Sequence, residues 1–194
     1  MAPGDESRCY FPVDGRIRTR DIAAFRWHDG DMKLTESFSY PGTTVESVYA
    51  IITDKAFRDE AADADGAIEK DITVEPNDRG GDTVTIVRTQ PADMPDFIKK
   101  LTGETVKVKQ TEEWSGPDAN GKRIADIHVN IIGQPAEMKG IAELSTSGSD
   151  AKFNVDGEVK VSIPFIGKKI EPEIHKAITG SLRGEVALGV ERLS

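Results

Sequence analysis

The stretch ETVKVKQTEEWSGPDANGKRIADIHVNIIGQPAEMKGIAELSTSGSDAKFNVDGEVKVSI, residues 104–163, decides the fold. Its apolar residues keep to alternate positions: Val106, Val108 and Trp114, then Ile127, Val129 and Ile131, then Met138, Ala142 and Leu144, then Phe153, Val155, Val159, Val161 and Ile163. A period of two sends successive side chains to opposite faces of a strand, so each run has one buried and one wet face. Clusters of Gly, Pro, Asn and Asp separate the runs into four strands. Parity suggests a register in which Gln110 faces Ile127, Val108 faces Val129 and Val106 faces Ile131. The next hairpins then pair Val129 with Gly140, Ile127 with Ala142, Ala142 with Val155, and Leu144 with Phe153. All four strands bury the same face in this arrangement.

Working outward from this ladder, Lys33 to Tyr40 alternates and is ended by Pro41 and Gly42. Thr43 or Thr44 is placed to cap a helix through Val45, Val48, Tyr49 and Ile52, with Glu46 in the first turn where the helix dipole favours an acid. A second helix is predicted over about 54–64. Ile68, Ile72 and Val74 mark the next strand, a turn follows at 75–81, and Val84 and Ile86 mark another. The segment from Pro91 to Gly103 suits a short helix or a folded-over loop. Beyond the ladder the period changes to four, with Ile170, Ile174, Ile178, Leu182, Val186 and Val190 forming an apolar stripe on a long helix. Pro172 falls near its start, where a missing N–H costs little. The predicted fold is α+β: a seven-stranded antiparallel sheet that buries its apolar face against one long C-terminal helix.

The chain has 194 residues, 37% of them hydrophobic and 30% charged. No apolar run approaches the roughly 20 residues of a membrane-spanning helix. A net charge of -9 argues against nucleic acid as a partner and disfavours anionic membrane surfaces, because both need clustered cations. The single cysteine, Cys9, allows no intrachain disulfide and no cysteine metal site, which points to a reducing, cytoplasmic setting. Residues 1–31 carry Arg8, Arg16, Arg18, Arg20 and Arg26 among acids, without periodicity. Met32 directly precedes the first strand, so 1–31 reads as a disordered tail or an extended gene start, and 32–194 as one domain. Removal of the tail is then expected to leave stability unchanged. The alternative is a basic arm with Cys9 as a redox handle.

The opening MKLTESFSYPGTTVESVYAIITD, the strand meander and the terminal EPEIHKAITGSLRGEVALGVERL together resemble the START and polyketide-cyclase-like (SRPBCC) superfamily, over Met32 to Ser194. Within it the pattern is most similar to an actinobacterial branch of START-like domains. The resemblance implies a helix-grip fold with a cavity for an apolar small molecule or lipid. It equally covers cyclases, aromatase-like enzymes and chaperone-like activators, so the fold does not choose among them.

His128 lies between Asp126 and Asn130 at two-residue spacing, and the shared face would let all three hold one ligand. That face is opposite Ile127 and Val129, and solvent is the simpler occupant. His175 is expected off the apolar stripe, and His28 lies in the tail. No zinc-protease, His-Cys or nucleophile-elbow motif occurs, so neither a metal nor a cofactor is expected and no catalytic residue is assigned. Parity sends Arg88, Gln110 and Glu112 to the inner face, where a buried charge needs a partner or a ligand. Arg88 and Glu112 are read as rim positions, and Gln110 as the residue that orients a ligand's polar end. Gly180, Gly184 and Gly189 each cost about 1 kcal/mol in a helix interior, which close approach to sheet or ligand would explain. Gly140 and Gly157 make matching room on the strands, and a side chain at Gly140 is expected to fill the cavity with little loss of stability.

The expected function is non-catalytic binding of a hydrophobic small molecule or lipid between sheet and helix. The expected lining from the strands is Phe38, Val106, Val108, Gln110, Ile127 and Val129, with Met138, Gly140, Ala142 and Val155. The helix adds Ile174 and Ile178. A cyclase or aromatase-like enzyme using polar cavity residues is one alternative. A chaperone-like interaction module with a filled core is the other.

Overall fold

The computed structural model describes residues 32–92 and 95–194. The elements in chain order are β1 (Met32–Tyr40), α1 (Val45–Ile52), α2 (Lys55–Ala64), β2 (Glu69–Pro76), β3 (Gly80–Pro91) and α3 (Asp96–Thr102). They continue with β4 (Thr105–Ser115), β5 (Arg123–Ile131), β6 (Ala136–Ser147), β7 (Asp150–Val161) and α4 (Gly167–Leu193). All seven strands form one antiparallel sheet in the order β1-β7-β6-β5-β4-β3-β2, and its inner face packs on α4. This is the helix-grip architecture expected from the alternation and the long helix. The tail and its arginines, Cys9 and His28 lie outside the described residues.

Local chemistry sets the element ends. Thr44 caps α1 by accepting the Ser47 amide at 3.1 Å, and Asp54 caps α2 by accepting the Phe57 amide at 2.8 Å. Within the segment from Pro91 to Gly103, Asp96–Thr102 forms the helix α3. Ile68 does not join β2; it precedes Glu69 and is 62% exposed. The α4 helix begins at Gly167, so Pro172 interrupts its second turn instead of sitting in the first.

The hairpin registers differ from the parity reading by two residues at β4–β5 and β5–β6. Val108 pairs with Ile131, Gln110 with Val129 and Glu112 with Ile127, while Val129 pairs with Met138 and Ile127 with Gly140. The β6–β7 pairs Ala142 with Val155 and Leu144 with Phe153 stand as read. A slip of two leaves every side chain on its face, so alternation dictates the face while turn length dictates the register. The β5–β6 turn is tight, with the Gln134 amide on the Ile131 carbonyl at 3.0 Å and Gly133 at φ 80°.

On α4, Ile170, Ile174 and Val186 are buried, whereas Ile178, Leu182 and Val190 are only partly so. A spacing of four advances about 40° per step around a helix of 3.6 residues per turn, so the stripe winds off the contact face. Of Gly180, Gly184 and Gly189 only Gly189 approaches another element closely: a Cβ there would sit 3.0 Å from the Tyr40 ring. Gly180 and Gly184 face open space, which removes close packing as their explanation. Gly180→Ala and Gly184→Ala are therefore each expected to stabilise the protein by about 0.5–1 kcal/mol. Denaturant titration of the double variant checks this, and a loss of stability would mean that the open space is used.

Candidate functional site

The interior between sheet and α4 divides into three zones along the strands. At the end where β1 finishes, Trp114, Tyr40, Leu144 and Phe153 are buried together, and Phe38 stacks on Phe153 at 6.2 Å. Tyr49 meets Trp114 edge-on at 6.0 Å, under the Arg123 guanidinium at 3.7 Å from the Tyr49 ring. This end is the packed one.

The middle zone holds a charged cluster. Arg58, on α2, is 2% exposed and donates to Glu112 Oε2 and Glu185 Oε1, both at 2.7 Å, and to the Ile52 carbonyl. Glu112 also accepts from Trp114 Nε1 at 2.9 Å and from Gln110 Nε2 at 2.7 Å. Glu112 is 4% exposed, so it is no rim residue; α2 covers it and supplies the cation. Burial, opposed by Arg58 and reinforced by the Glu112 charge, holds the Glu185 carboxyl above its ordinary range. Gln110 thus serves a buried protein carboxylate. Gln110→Leu is expected to cost about 1–3 kcal/mol, because Glu112 loses a donor it cannot replace; an unchanged denaturation midpoint would show that Glu112 does not depend on it.

The third zone is open. Val106 and Val108 of β4, Val129 and Ile131 of β5, Met138 of β6, and Ile174 and Ile178 of α4 line a small, mostly apolar cleft of about 60 Å³ that opens to solvent. Alternation puts the strand residues inward, and the one-turn spacing of Ile174 and Ile178 puts both on the facing side of α4. Its polar wall is Arg88, Gln90 and Ser181. Arg88 donates from Nε to Gln90 at 2.6 Å and from Nη2 to Ser181 at 3.1 Å, and pairs with Asp65 at 3.1 Å. Ser181 in turn donates to Asp65 at 2.9 Å. Arg88 is 9% exposed, so it is a buried, braced guanidinium at the cavity wall rather than a solvated rim charge.

Of the expected lining, Val106, Val108, Val129, Met138, Ile174 and Ile178 converge on this space. Phe38, Gln110, Ile127, Ala142 and Val155 sit along the packed and charged zones instead. Gly140 makes no room for a ligand: a Cβ there would collide with the Asp156 carbonyl oxygen on β7. On the outer face His128 bonds Glu137 at 2.9 Å, and Asp126 pairs with Arg79, so the two do not share a ligand. His175 is half-buried on α4.

Sequence reasoning missed Arg58 and Glu185. The signal for Arg58 was its place one turn before Ala62, on the buried side of α2. Glu185 has none, since the drift of the stripe hides which side of α4 it occupies.

A family model described as "Protein of unknown function (DUF2505)" matches residues 35–193. No curated protein sequence matches the chain. Among solved structures it is similar to TTHA0849 from Thermus thermophilus, with 13% identity, 83% of this chain and 96% of that one covered, and a TM-score of 0.56. It is also similar to Ara h 8.0201, with 12% identity, coverage of 84% and 99%, and a TM-score of 0.53. A truncated norcoclaurine synthase from Thalictrum flavum gives 12% identity, coverage of 84% and 92%, and a TM-score of 0.53. At these identities the likeness shows a shared fold.

Proposed function

We propose that this chain, which belongs to the DUF2505 family of proteins of unknown function, binds an apolar small molecule or lipid in the open zone between sheet and α4 without covalent chemistry, residues 32–194 acting as one domain. The observation that carries this reading is the convergence of Val108, Val129, Met138 and Ile178 on a space with one buried guanidinium in its wall. Apolar walls with a few placed polar groups, here Arg88 with Gln90 and Ser181, are what fixes the orientation of a small ligand. Because Arg88 is already paired with Asp65, the wall offers N–H donors more than net charge. A ligand with a hydrogen-bond acceptor, such as a carbonyl, at one end of an apolar body fits that chemistry. The Arg58 cluster is satisfied within the protein and lies off the cavity wall, which weighs against its use as an acid or base.

Val129→Phe tests the reading. Filling the space should lower the affinity for a neutral apolar fluorophore such as phenylnaphthylamine by roughly tenfold, with a melting shift of only about 2 °C, because the ring enters room that is already there. If the unaltered protein shows no saturable binding, or the variant binds equally well, the cavity reading fails.

A further inference from the structure

Among the described residues the exposed large hydrophobic side chains are Ile68, Phe97, Ile132 and Phe165, at 62%, 47%, 44% and 101% exposure. The topology brings all four to one end of the sheet. Ile68 directly precedes β2, whose first residue, Glu69, pairs with Thr89 near the end of β3. Phe97 lies on α3, which joins the end of β3 to the start of β4. Ile132 follows β5, and its amide bonds the Lys107 carbonyl near the start of β4 at 2.7 Å. Phe165 lies between β7 and α4, in a loop tied to the β5–β6 turn by the Ser162 amide on the Pro135 carbonyl at 2.8 Å. The open zone of the interior reaches the surface at this same end, since its strand residues are the last of β3 and β5 and the first of β4 and β6.

Phe165 carries the argument furthest. It has φ 66°, a conformation that bulky L side chains rarely adopt, and its ring touches nothing that would hide it from water. Two backbone bonds hold that turn, Ile166 to the Pro164 carbonyl and Gly167 to the Ile163 carbonyl, each at 2.9 Å. The chain therefore accepts backbone strain where the result is an aromatic ring aimed at solvent. Cations accompany the rim: Lys99 and Lys100 follow Phe97, Lys169 follows Phe165, and Lys107 is exposed beside Ile132. Glu69, Asp96 and Glu104 share the rim, so the cationic character is local to the lysines beside the two rings. The net charge of -9 disfavours an anionic surface for the chain as a whole, but among the described residues these lysines beside outward aromatic rings give this end a local chemistry that suits a lipid headgroup layer.

We propose that this end docks on an anionic lipid bilayer, with Phe97 and Phe165 entering the headgroup region, the neighbouring lysines on the phosphates, and the mouth of the cavity turned to the membrane. Docking rests on the rim alone. Only transfer of a lipid between bilayer and cavity would rest on the binding reading above.

Flotation of the full chain with phosphatidylcholine vesicles, and with phosphatidylcholine vesicles containing phosphatidylglycerol, tests it. The unaltered protein should float with the phosphatidylglycerol vesicles and hardly with the others. Phe97→Ser and Phe165→Ser should each lower partitioning roughly tenfold, the order expected for one aromatic ring left in water. The pair Lys99→Glu and Lys100→Glu should abolish the preference for phosphatidylglycerol. Thermal melts of the two serine variants should match the parent, as both rings are exposed. Val129→Phe should float normally, which separates this proposal from the cavity reading. The proposal is overturned if the protein floats with neither vesicle, or if the serine variants float like the parent. It is equally overturned if sedimentation shows a dimer that Phe165→Ser dissolves in the absence of vesicle binding, since the rim would then join two copies of the chain.

Discussion

Arg58→Leu is expected to cost about 3–5 kcal/mol, because it leaves the buried Glu112 and the largely buried Glu185 without their shared cation. The penalty comes from stranding one buried and one largely buried carboxylate without a counter-charge, and not from the intrinsic worth of the ion pairs. Replacing all three residues by leucine should for that reason recover most of the loss. Urea denaturation of the single and triple variants separates the two contributions, and a single variant within about 1 kcal/mol of the parent would show that water reaches the carboxylates. Glu185 adds a pH dependence. An acid whose folded pKa is raised contributes stability that is complete below its unfolded pKa and is lost as pH rises through the folded one. Glu185→Gln should accordingly gain stability toward neutral pH and flatten the profile above the ordinary carboxylate range.

Gly140→Leu is expected to prevent folding, or to leave a protein destabilised by more than about 3 kcal/mol. The added Cβ would collide with the Asp156 carbonyl oxygen and lie 2.7 Å from the Gly157 Cα, both on the neighbouring strand. Backbone in mid-sheet cannot retreat as the end of a flexible side chain does, so even Gly140→Ala should be felt. Soluble yield and circular dichroism of both variants check this; a well-folded Gly140→Leu would mean that β6 and β7 part more readily than their twelve paired positions suggest. The outcome informs on strand contact and says nothing about ligand space, which Val129→Phe probes instead.

What could be read from sequence followed from periodicity. Alternation along β4 to β7 put Val108, Val129, Met138 and Val155 on the inner face, and the faces survive even where the register moves by two. Register itself depends on how many residues the turns consume, and the tight bond from Gln134 to Ile131 has no signature in an apolar pattern. Half of the cavity lining was legible for the same reason that the faces were. The rest was not, because which inward residues meet a packed aromatic, a charge or open space depends on elements far away in the chain. Glu112 looked like a rim residue since its partner, Arg58, lies fifty-four positions earlier on a different layer. Gln110 looked like a ligand contact since nothing local shows that Glu112 claims its amide.

The charged cluster across the middle of the interior also separates what selection can change. Substitutions at Val106, Val129, Ile131 or Ile174 fall on its open side, where side chains border space and can vary in size before neighbours must move. Substitutions at Tyr40, Trp114 or Leu144 fall on its closed side, where each is 1% exposed or less and any change of volume is transmitted. Changes of shape in the open zone and changes of core volume are thereby placed on different residues of one chain, so the walls of the cleft can vary while the packed end keeps its fit.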